Sequence, residues 1–389
     1  MFVQANGLEP HRQWAREWLF DAALPLWWKS GADREHGGFH DRLDQQARPV
    51  DGPKRLRVQA RQAFVYAEAG RLGWDGPWRD AVMHGIEFMQ SAYLREDGLF
   101  RSAVTRTGET HVETPDLYDQ AFVLFGWASA YAALGRPPVL LERAEALLER
   151  LETLWAHPER GFEEASPRRL PLRSNPHMHM LEALLFWVEI GGGPRFERQA
   201  RAIVDLALAR LIDPATGAVG EYYDGDWRFI DGAEGQVREP GHQFEWAYLL
   251  HRAGRVLGGD HREASARLYR FGERHGIIDG RAIFSVDAAG GVVDGSARLW
   301  AQTERLRTML TFAGDMPAGE GEAAAIESVT LLRHYLDVPV AGLWRDRIDA
   351  DGALIDEPAP ASSFYHIVTG ILPLLEPTGS VAVADRSPA

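Results

Sequence analysis

The chain alternates between two kinds of hydrophobic pattern. Six runs are apolar on almost every side, and a helix of that kind is buried on almost every side. Between these runs, apolar residues recur at helical spacing on one side only, and charged residues fill the other side, as in residues 142–155. The alternation predicts a layer of outer helices packed around a set of inner ones.

The six apolar runs begin at nearly even intervals. Their starts lie near Arg57, Asp116, Asn175, Gly241, Trp300 and Phe364. The intervals are 59, 59, 66, 59 and 64 residues, which indicates six copies of one unit. The outer helices are predicted at residues 10–29, 76–93, 138–156, 194–212, 260–275 and 320–337.

Short glycine-rich connectors join each outer helix to the inner helix that follows it. Residues 37–44 and 217–223 are examples, and their composition predicts hairpin-like turns. Twelve helices joined in this way close most simply into an (α/α)6 barrel, an all-α fold with the connectors at one end. No linker divides the chain, so we expect a single domain over residues 1–389, with a core at about 10–375 and a loose tail at 376–389.

The inner helices all follow connectors, so their N-termini are expected at the same end of the barrel. Polar and aromatic residues in the first turns would therefore line one concave cavity. These residues are Arg57, Arg61, Asp116, Tyr118, Asp119, Asn175, His177, His179, His242, Glu245, Trp300, Gln302, Glu304, Tyr365 and His366. We expect the functional site at this end.

Helical spacing decides which residues of the third inner helix face the barrel axis. Asn175 and His179 are four residues apart and share a face with Glu182. His177 lies about 200° around the helix from His179, so we expect it to pack between helices.

For some other candidate site residues the sequence allows two interpretations. Arg61 either contacts a substrate or forms an ion pair with a buried acid such as Glu68. Trp300 is either a core residue or a platform on which a sugar stacks. His242 and Glu245 are three residues apart, so both can face inward.

Charge and composition narrow the classes of function. The 42 basic and 56 acidic residues give a net charge of −14 that is spread along the chain, which argues against nucleic acid or an anionic membrane as partner. The absence of cysteine excludes disulfides, thiolate nucleophiles and cysteine-ligated zinc. The N-terminus has no signal-peptide pattern and no run is long enough to span a membrane, so we expect a cytoplasmic protein.

Cofactor motifs are also missing from the sequence. It contains no glycine-rich phosphate loop, no serine-centred elbow and no dinucleotide fingerprint. His177 and His179 have ligand-like spacing, but the helical phase separates them, so we predict no metal and no cofactor.

Six motifs at these positions resemble the N-acylglucosamine 2-epimerase superfamily. They are Gln59-Ala-Arg61-Gln, Asp116-Leu-Tyr118-Asp, Asn175-Pro-His-Met-His179, Pro240-Gly-His242-Gln-Phe-Glu245-Trp, Trp300-Ala-Gln302-Thr-Glu304 and Tyr365-His366. The resemblance extends to Gly37-Gly-Phe and covers about residues 10–375. It implies an (α/α)6 barrel that interconverts sugars without a metal or nucleotide in the reaction.

The resemblance also implies roles for individual residues. His242 and His366 match the pair of acid/base histidines. The positions that line the sugar site are matched by Arg61, Tyr118, Asn175, His179, Glu245 and Trp300. We add Gln302 and Glu304 of the fifth motif to this substrate-binding set.

The segment before the final histidine favours one branch of the superfamily. Residues 359–365 are similar to mannose isomerases and lack the Trp-Lys or Phe-Lys-Gly element of the epimerases. We therefore expect an aldose–ketose isomerase that interconverts free D-mannose and D-fructose through a cis-enediol. We assign to His366 the transfer of the proton between C2 and C1. We assign to His242 the opening of the sugar ring and the protonation of oxygen.

The local environment of these histidines also yields an expectation. The helix N-termini are expected to keep both imidazoles neutral, and Glu245 is the expected hydrogen-bond acceptor for His242.

Several alternatives remain open from the sequence. The main alternative is a sugar 2-epimerase of the N-acylglucosamine or cellobiose type. More remote are a sulfoquinovose isomerase, an (α/α)6 glycoside hydrolase that uses a pair among Asp116, Asp119, Glu245 and Glu304, and a non-catalytic sugar-binding protein. The expected partner is a monosaccharide substrate, and the expected assembly is a monomer or homodimer.

Overall fold

The computed structural model describes residues 7–312 and 320–376. In chain order the helices are α1 (Glu9–Glu17), α2 (Leu24–Leu26), α3 (Leu56–Arg71), α4 (Trp78–Phe88), α5 (Leu117–Ala133), α6 (Pro138–Trp155), α7 (Ser174–Glu189), α8 (Pro194–Leu206), α9 (Gly232–Gln236), α10 (Pro240–Leu257), α11 (Arg262–Gly276), α12 (Leu299–Phe312), α13 (Glu320–Leu336) and α14 (Ser362–Leu375). Apart from Glu376, the predicted tail lies outside the described residues.

Turns of π-helix extend three of the outer helices. The segment Trp18–Ala23 joins α1 to α2, and Trp27–Gly31 continues α2, so that these pieces form the first outer helix. Met89–Tyr93 continues α4 and Ala207–Leu211 continues α8. Among the described residues, no helix is both long enough and apolar enough to cross a bilayer.

The inner helices form a closed ring. Helices α3, α5, α7, α10, α12 and α14 each pack against the next, and α14 packs against α3. Helices α4, α6, α8, α11 and α13 cover α3, α5, α7, α10 and α12, and α1 packs on α14. The arrangement confirms the predicted (α/α)6 barrel of twelve helices, and the short α9 lies in a connector.

Small residues let the inner helices approach closely. A Cβ placed on Gly126 of α5 would lie 3.0 Å from the Cβ and 3.1 Å from the Cα of Ala60 in α3. A Cβ on Gly370 of α14 would lie 2.8 Å from the Cβ of Thr303 in α12. Larger side chains at these two positions would force the ring apart, because protein interiors are already close-packed.

Short strands lie in the connectors. In chain order they are β1 (Arg42–Leu43), β2 (Lys54–Arg55), β3 (Ala103–Val104), β4 (Thr110–Val112), β5 (Leu172–Arg173), β6 (Tyr222–Tyr223), β7 (Ile277–Ile278), β8 (Arg281–Ala282), β9 (Ser285–Val286), β10 (Val292–Asp294), β11 (Ala297–Arg298), β12 (Arg347–Ile348) and β13 (Ala359–Pro360). The pairs β3–β4, β7–β8 and β9–β10 are hairpins within one connector, as predicted. The other pairs join one connector to another, which the prediction did not include.

Neighbouring connectors are linked around the whole mouth of the barrel. The antiparallel pairs β2–β3, β5–β6 and β11–β12 link the first connector to the second, the third to the fourth and the fifth to the sixth. Arg238 and Val286 bridge the fourth and fifth connectors, and the Leu117 amide donates to the Glu164 carbonyl between the second and third. The pair β1–β13 then joins the last connector to the first.

A buried glutamine anchors each of four connectors to its inner helix. Gln59, Gln120, Gln243 and Gln302 are each the fourth residue of an inner helix. The Gln59 amide accepts from the backbone N–H of Phe39 at 2.7 Å and donates to the carbonyl of the same residue at 3.0 Å. The other three make the same two bonds to Phe100, Val219 and Ala282.

The same position is occupied by a histidine in α7. His177 Nε2 accepts from the Phe162 amide at 3.1 Å, and its Nδ1 lies 3.2 Å from the Arg173 carbonyl. Burial is the main cause that lowers the pKa of His177, to about 4. His177 is thus a neutral structural residue that points away from the axis, as the helical phase predicted.

Candidate active site

A cavity of about 820 Å³ opens at the connector end of the barrel. Eight of the ten predicted site residues line it. They are His242, His366, Arg61, Tyr118, Asn175, His179, Glu245 and Trp300. The remaining two, Gln302 and Glu304, do not line the cavity, and both are almost fully buried.

Gln302 and Glu304 have other partners. The Gln302 amide accepts from the Ala282 N–H and donates to the Ala282 carbonyl, and its nitrogen also donates to the Arg298 carbonyl at 3.0 Å. We therefore correct the prediction that Gln302 binds substrate, because its hydrogen-bonding groups are committed to the connector. Glu304 lies beneath the cavity, where its carboxylate contacts His366, so its position does not fit the predicted contact with substrate.

Six residues, one from each inner helix, lie at the depth in the barrel where the cavity ends. These residues are Arg61, Phe122, His179, Glu245, Glu304 and His366. Arg61 lies over the Phe122 ring at 4.2 Å, and the Phe122 and His179 ring centroids are 4.7 Å apart. We call this level the floor. It combines histidines with charged groups in a place that little water reaches.

His242 is held between two carboxylates. Its Nδ1 lies 2.8 Å from Glu221 Oε2 and 3.6 Å from Glu239 Oε2. Burial by itself lowers the pKa of His242, but the charges of Glu221 and Glu239 outweigh it and raise that pKa to about 10. His242 is therefore an imidazolium at neutral pH, and its Nε2–H is left for the cavity.

Two expectations about His242 are thereby wrong. The helix N-terminus does not keep this imidazole neutral, because two nearby carboxylates stabilise the cation more strongly than the helix dipole destabilises it. The acceptor for Nδ1 is Glu221 from a connector, whereas Glu245 lies closer to His179, with its Oε1 3.7 Å from His179 Nδ1.

His366 has the opposite charge state. Its Nδ1 lies 2.8 Å from Glu304 Oε1. Burial, reinforced by the positive charge of Arg61, lowers the pKa of His366 well below its usual value, so the ring is neutral. When Glu304 is ionised it can only accept, so Nδ1 then carries the ring proton, and Nε2 carries the lone pair and is left for the cavity.

Trp300 lies between the two histidines. Its ring centroid is 5.0 Å from that of His242 and 5.9 Å from that of His366. A pair of titratable groups whose environments separate their pKa values identifies an acid and a base. The cavity therefore offers a general acid and a general base beside one aromatic surface.

Arg61 is a buried cation with no carboxylate among its described hydrogen-bond partners. Nη2 donates to the Tyr118 hydroxyl at 2.8 Å and Nη1 to the Ser362 carbonyl at 3.4 Å. Glu68, the alternative partner, binds Arg71 instead. An unneutralised guanidinium at the floor is suited to an oxygen that becomes negative during a reaction.

Four residues that line the cavity have a buried polar atom with no hydrogen-bond partner among the described residues. The atoms are Arg61 Nε, Asn175 Oδ1, Glu245 Oε1 and Arg298 Nε. Burial together with Glu304 and Glu182 raises the pKa of Glu245 well above its usual value. Unpartnered buried polar atoms are rare in native proteins. They leave capacity here for the hydroxyl groups of a ligand.

Two groups of side chains have the donor types of a metal site. One is His179, Glu182 and Glu245, and the other is Glu221, Glu239 and His242. In the second group Nδ1 of the histidine is hydrogen-bonded to Glu221 and the ring holds both its protons, which does not fit ligation. In the first, His179 Nδ1 lies 3.3 Å from Glu182, which already accepts from Tyr365 and Arg307.

The sequence analysis missed Glu221 and Arg307. Glu221 precedes β6 in the fourth connector, and only the folded chain brings it to His242. Arg307 follows Glu304 by one helical turn, a spacing that could have indicated an ion pair.

The chain matches known proteins over most of its length. The profile of the family "N-acylglucosamine 2-epimerase (GlcNAc 2-epimerase)" matches residues 37–370. The mannose-6-phosphate isomerase of Rhizobium meliloti (strain 1021) is 41% identical over 366 residues, which are 92% of this chain and 95% of that protein.

Solved structures show the same fold. A cellobiose 2-epimerase from Bacillus thermoamylovorans B4167 superposes with a TM-score of 0.83 at 18% identity, over 93% of this chain and 99% of that one. A D-mannose isomerase superposes with a TM-score of 0.81 at 19% identity, over 95% of this chain and 97% of that one.

Proposed function

Because this chain belongs to the N-acylglucosamine 2-epimerase family, we propose that it is a sugar isomerase that interconverts free D-mannose and D-fructose. The observation that carries the proposal is the pair of cavity histidines, His242 and His366, each with its Nδ1 2.8 Å from a buried carboxylate and its other ring nitrogen left for the cavity. A cytoplasmic location and a monomeric or homodimeric state stay predictions.

The proposed reaction moves one proton between two carbons. With the sugar ring open, His366 Nε2 takes the proton from C2, and the C–H electron pair forms the C1=C2 bond. The C1=O π electrons move to O1, which takes a proton from His242 Nε2, and the cis-enediol results. The O2 hydroxyl then returns a proton to His242, and His366 delivers its proton to C1, which leaves the ketone at C2. Each acid/base group of this type contributes roughly 10²–10⁴-fold to the rate.

Arg61 and Asn175 are assigned to the oxygens of the enediol. Negative charge grows on O1 and O2 in the transition state, and Arg61 is the cavity cation without a carboxylate among its hydrogen bonds. The Asn175 side chain lines the same cavity, and its Oδ1 is free to accept a hydroxyl proton. These groups are already in place before the charge forms, which is the arrangement that stabilises a transition state.

The arginines at the mouth of the cavity favour a neutral sugar over a sugar phosphate. Each of these five arginines is paired with a carboxylate: Arg55 with Asp41, Arg57 with Asp119, Arg169 with Asp116, Arg173 with Glu164 and Arg298 with Asp346. A phosphate would have to compete with these carboxylates for the arginines.

Three of the four carboxylates considered for a glycoside hydrolase are engaged elsewhere, and Glu245 alone does not supply the pair that hydrolysis needs. Asp116 binds Arg169 and Arg173, and Asp119 binds Arg57. Glu304 lies below the cavity against His366. The geometry therefore favours proton transfer by histidine over cleavage between two carboxylates.

The 2-epimerase alternative uses the same histidines. His242 would then protonate C2 on the face opposite His366, instead of protonating O1. Incubation with D-mannose in D₂O, followed by NMR at C1 and C2, separates the two reactions. Fructose supports the isomerase, with deuterium at C1 to the extent that the proton on His366 exchanges with solvent, and glucose labelled at C2 supports the epimerase. No turnover of mannose, mannose 6-phosphate, cellobiose or N-acetylglucosamine would contradict both.

Substitution of the histidines tests their roles. We expect His242→Asn and His366→Asn each to lower kcat by about 10²–10⁴-fold, the contribution of a general acid or base, with far-UV circular dichroism unchanged. His334→Asn, at an exposed position of α13, is the matched control and should keep full activity. Full activity in either cavity variant would reject the assignment.

A further inference from the structure

One arginine beneath the floor joins two carboxylates that hold side chains of the cavity. Arg307 of α12 is buried, with Nη1 3.3 Å from Glu304 Oε2 and Nη2 3.3 Å from Glu182 Oε1. Its guanidinium carbon lies 3.6 Å from the centroid of the Tyr248 ring. The guanidinium is thus fixed in position by two carboxylates and an aromatic face.

Each of these carboxylates contacts a residue that faces the proposed substrate. Glu304 Oε1 lies 2.8 Å from Nδ1 of His366. Glu182 Oε2 lies 3.3 Å from Nδ1 of His179 and accepts from the Tyr365 hydroxyl. Arg307 does not line the cavity, so it does not contact a substrate directly, and its hydrogen bonds to these carboxylates are its link to the cavity.

Buried carboxylates remain ionised only when a cation lies nearby, since burial favours the protonated acid. Burial raises the pKa of Glu304 and Arg307 lowers it, which leaves that pKa at about 7. The other charged and titratable groups around this position are Arg61, His179, Glu182, Glu245, Tyr248, Arg252, Tyr365 and His366. Two of these carry a fixed positive charge. The described hydrogen bonds of Arg61 go to Tyr118 and Ser362, and Arg252 is paired with Glu189.

We propose that Arg307 is a positioning residue for the isomerisation: it favours the ionised form of Glu304, so that Glu304 holds the proton of His366 on Nδ1 and leaves Nε2 free to act as the base. The inference rests on the proposed function for its kinetic consequence. Its structural consequence, the tautomer of His366, does not depend on which sugar is the substrate. If Glu304 were protonated, its hydroxyl would compete for Nδ1 and the ring proton would move to Nε2, where it blocks the base.

The surroundings of Arg307 make its replacement practicable. Arg307 and Glu182 also line a second cavity of about 140 Å³, which lies on the side of the floor away from the substrate cavity. A shorter polar side chain at position 307 can be solvated from this space. Arg305, two residues earlier on α12, is a matched control, because it is also buried and forms a bidentate pair with Glu273 on the outer side of the helix.

The test compares Arg307→Gln, Arg307→Lys and Arg305→Gln with the wild type in the full chain. For Arg307→Gln we expect kcat with D-mannose to fall by about 10²-fold, the lower end of what a general base contributes, with KM little changed. The acidic limb of the kcat profile should move to higher pH, because Glu304 takes up its proton at higher pH without Arg307. Arg307→Lys should recover much of both effects, and Arg305→Gln should lower the melting temperature only.

Imidazole ¹⁵N NMR supplies a readout that is independent of turnover. We expect the His366 signals, assigned with His366→Asn, to report the Nδ1–H tautomer in the wild type and in Arg305→Gln, and more Nε2–H tautomer in Arg307→Gln. An unchanged tautomer and pH profile in Arg307→Gln would overturn the inference, even if that variant were less stable. If the wild type turned over no sugar, the proposed function would fail while the tautomer still decided the role of Arg307.

A second variant covers the possibility that Arg307→Gln does not fold. The double variant Glu182→Gln/Arg307→Gln removes one buried charge of each sign, so it leaves less uncompensated charge. Glu304 still lacks its cation in this variant. The same change of His366 tautomer is therefore expected, and its absence would overturn the inference.

Discussion

At the scale of single residues, the site depends on which carboxylate lies beside which histidine. His242 and His366 start equivalent inner helices and are equally buried. The charges of Glu221 and Glu239 make the first an imidazolium, whereas burial and Arg61 keep the second neutral. Two identical side chains therefore become an acid and a base through their neighbours alone.

Replacement of Glu221 tests this origin of the acid. In Glu221→Gln the pKa of His242 should fall, because its strongest stabilising charge is removed. His242 must be protonated to act, so activity is lost as pH rises through its pKa, at about 10 in the wild type. The alkaline limb of kcat/KM should therefore move to lower pH by about 1–3 units, the usual effect of one adjacent charge.

A nearby acid provides the control for that measurement. Glu234 also lines the cavity but is exposed and is not among the groups that shift the pKa of His242. Glu234→Gln should leave the alkaline limb in place. If Glu221→Gln also left it in place, the high pKa of His242 would have another origin.

The sequence was informative about these residues where local geometry decides. Helical phase placed His179 toward the axis and His177 away from it, and both predictions agree with the structure. The partner of His242 could not be predicted, because Glu221 comes from a connector 21 residues earlier. The spacing of His242 and Glu245 predicted that both side chains lie on the same face of the helix. It did not predict the depth in the barrel that each side chain reaches.

At the scale of elements, the inner helix and its connector form one unit through the buried glutamines. Gln59, Gln120, Gln243 and Gln302 occupy the same helical position and make the same pair of bonds. The bonds satisfy a connector N–H and C=O that would otherwise be buried without partners. The helix therefore fixes the connector that shapes the mouth of the cavity.

Gln302→Ala tests this role against the substrate-binding role expected from the sequence. Loss of the amide leaves the Ala282 N–H and C=O unpaired, so the free energy of unfolding should fall by about 2–4 kcal/mol, measured with urea. The KM for the sugar should change little, because Gln302 does not line the cavity.

An exposed glutamine is the control for the stability measurement. Gln46 lies in the first connector and its side chain contacts only the exposed Arg48 among the described hydrogen bonds. Gln46→Ala should change the free energy of unfolding by less than about 0.5 kcal/mol. A large rise in KM for Gln302→Ala with unchanged stability would restore the substrate-binding interpretation.

Helix boundaries were predicted within a few residues, because the apolar runs and the glycines that end them are local signals. The outer helix predicted at 194–212, for example, corresponds to Pro194–Leu206 and its π-helical extension Ala207–Leu211. The role of Gln302 was not predictable in the same way. A polar residue in the first turn of an inner helix looks the same in sequence whether it faces the cavity or the connector.

At the scale of the whole molecule, the barrel is closed by contacts between distant parts of the chain. The last inner helix packs between α12 and α3, and α1 packs on it from outside. The pair β1–β13 joins the first and last connectors at the mouth. The even repeat of the sequence implied a ring, but the pairing between connectors has no local signal, since each strand is only two or three residues long.

This closure leads us to propose that the chain is a single domain, which division of the chain can test. A cut between α7 and α8, at Gly192, leaves three inner helices in each half. In the intact barrel α3 packs on α14 and α7 on α10, so each half would expose the apolar faces at both of its edges. Helices that are apolar on almost every side are not stable with such faces in water.

We therefore expect residues 1–192 and 193–389, produced separately, to lack a cooperative thermal transition by far-UV circular dichroism and to bind a hydrophobic dye. The full chain with a protease site inserted at Gly192 is the control: it should fold and turn over sugar before cleavage. The catalytic pair adds a second reason for dependence between the halves, because His242 and His366 lie in the second half while Arg61, Tyr118 and Asn175 lie in the first. A half that melts cooperatively on its own would show two domains and would reject the single-domain proposal.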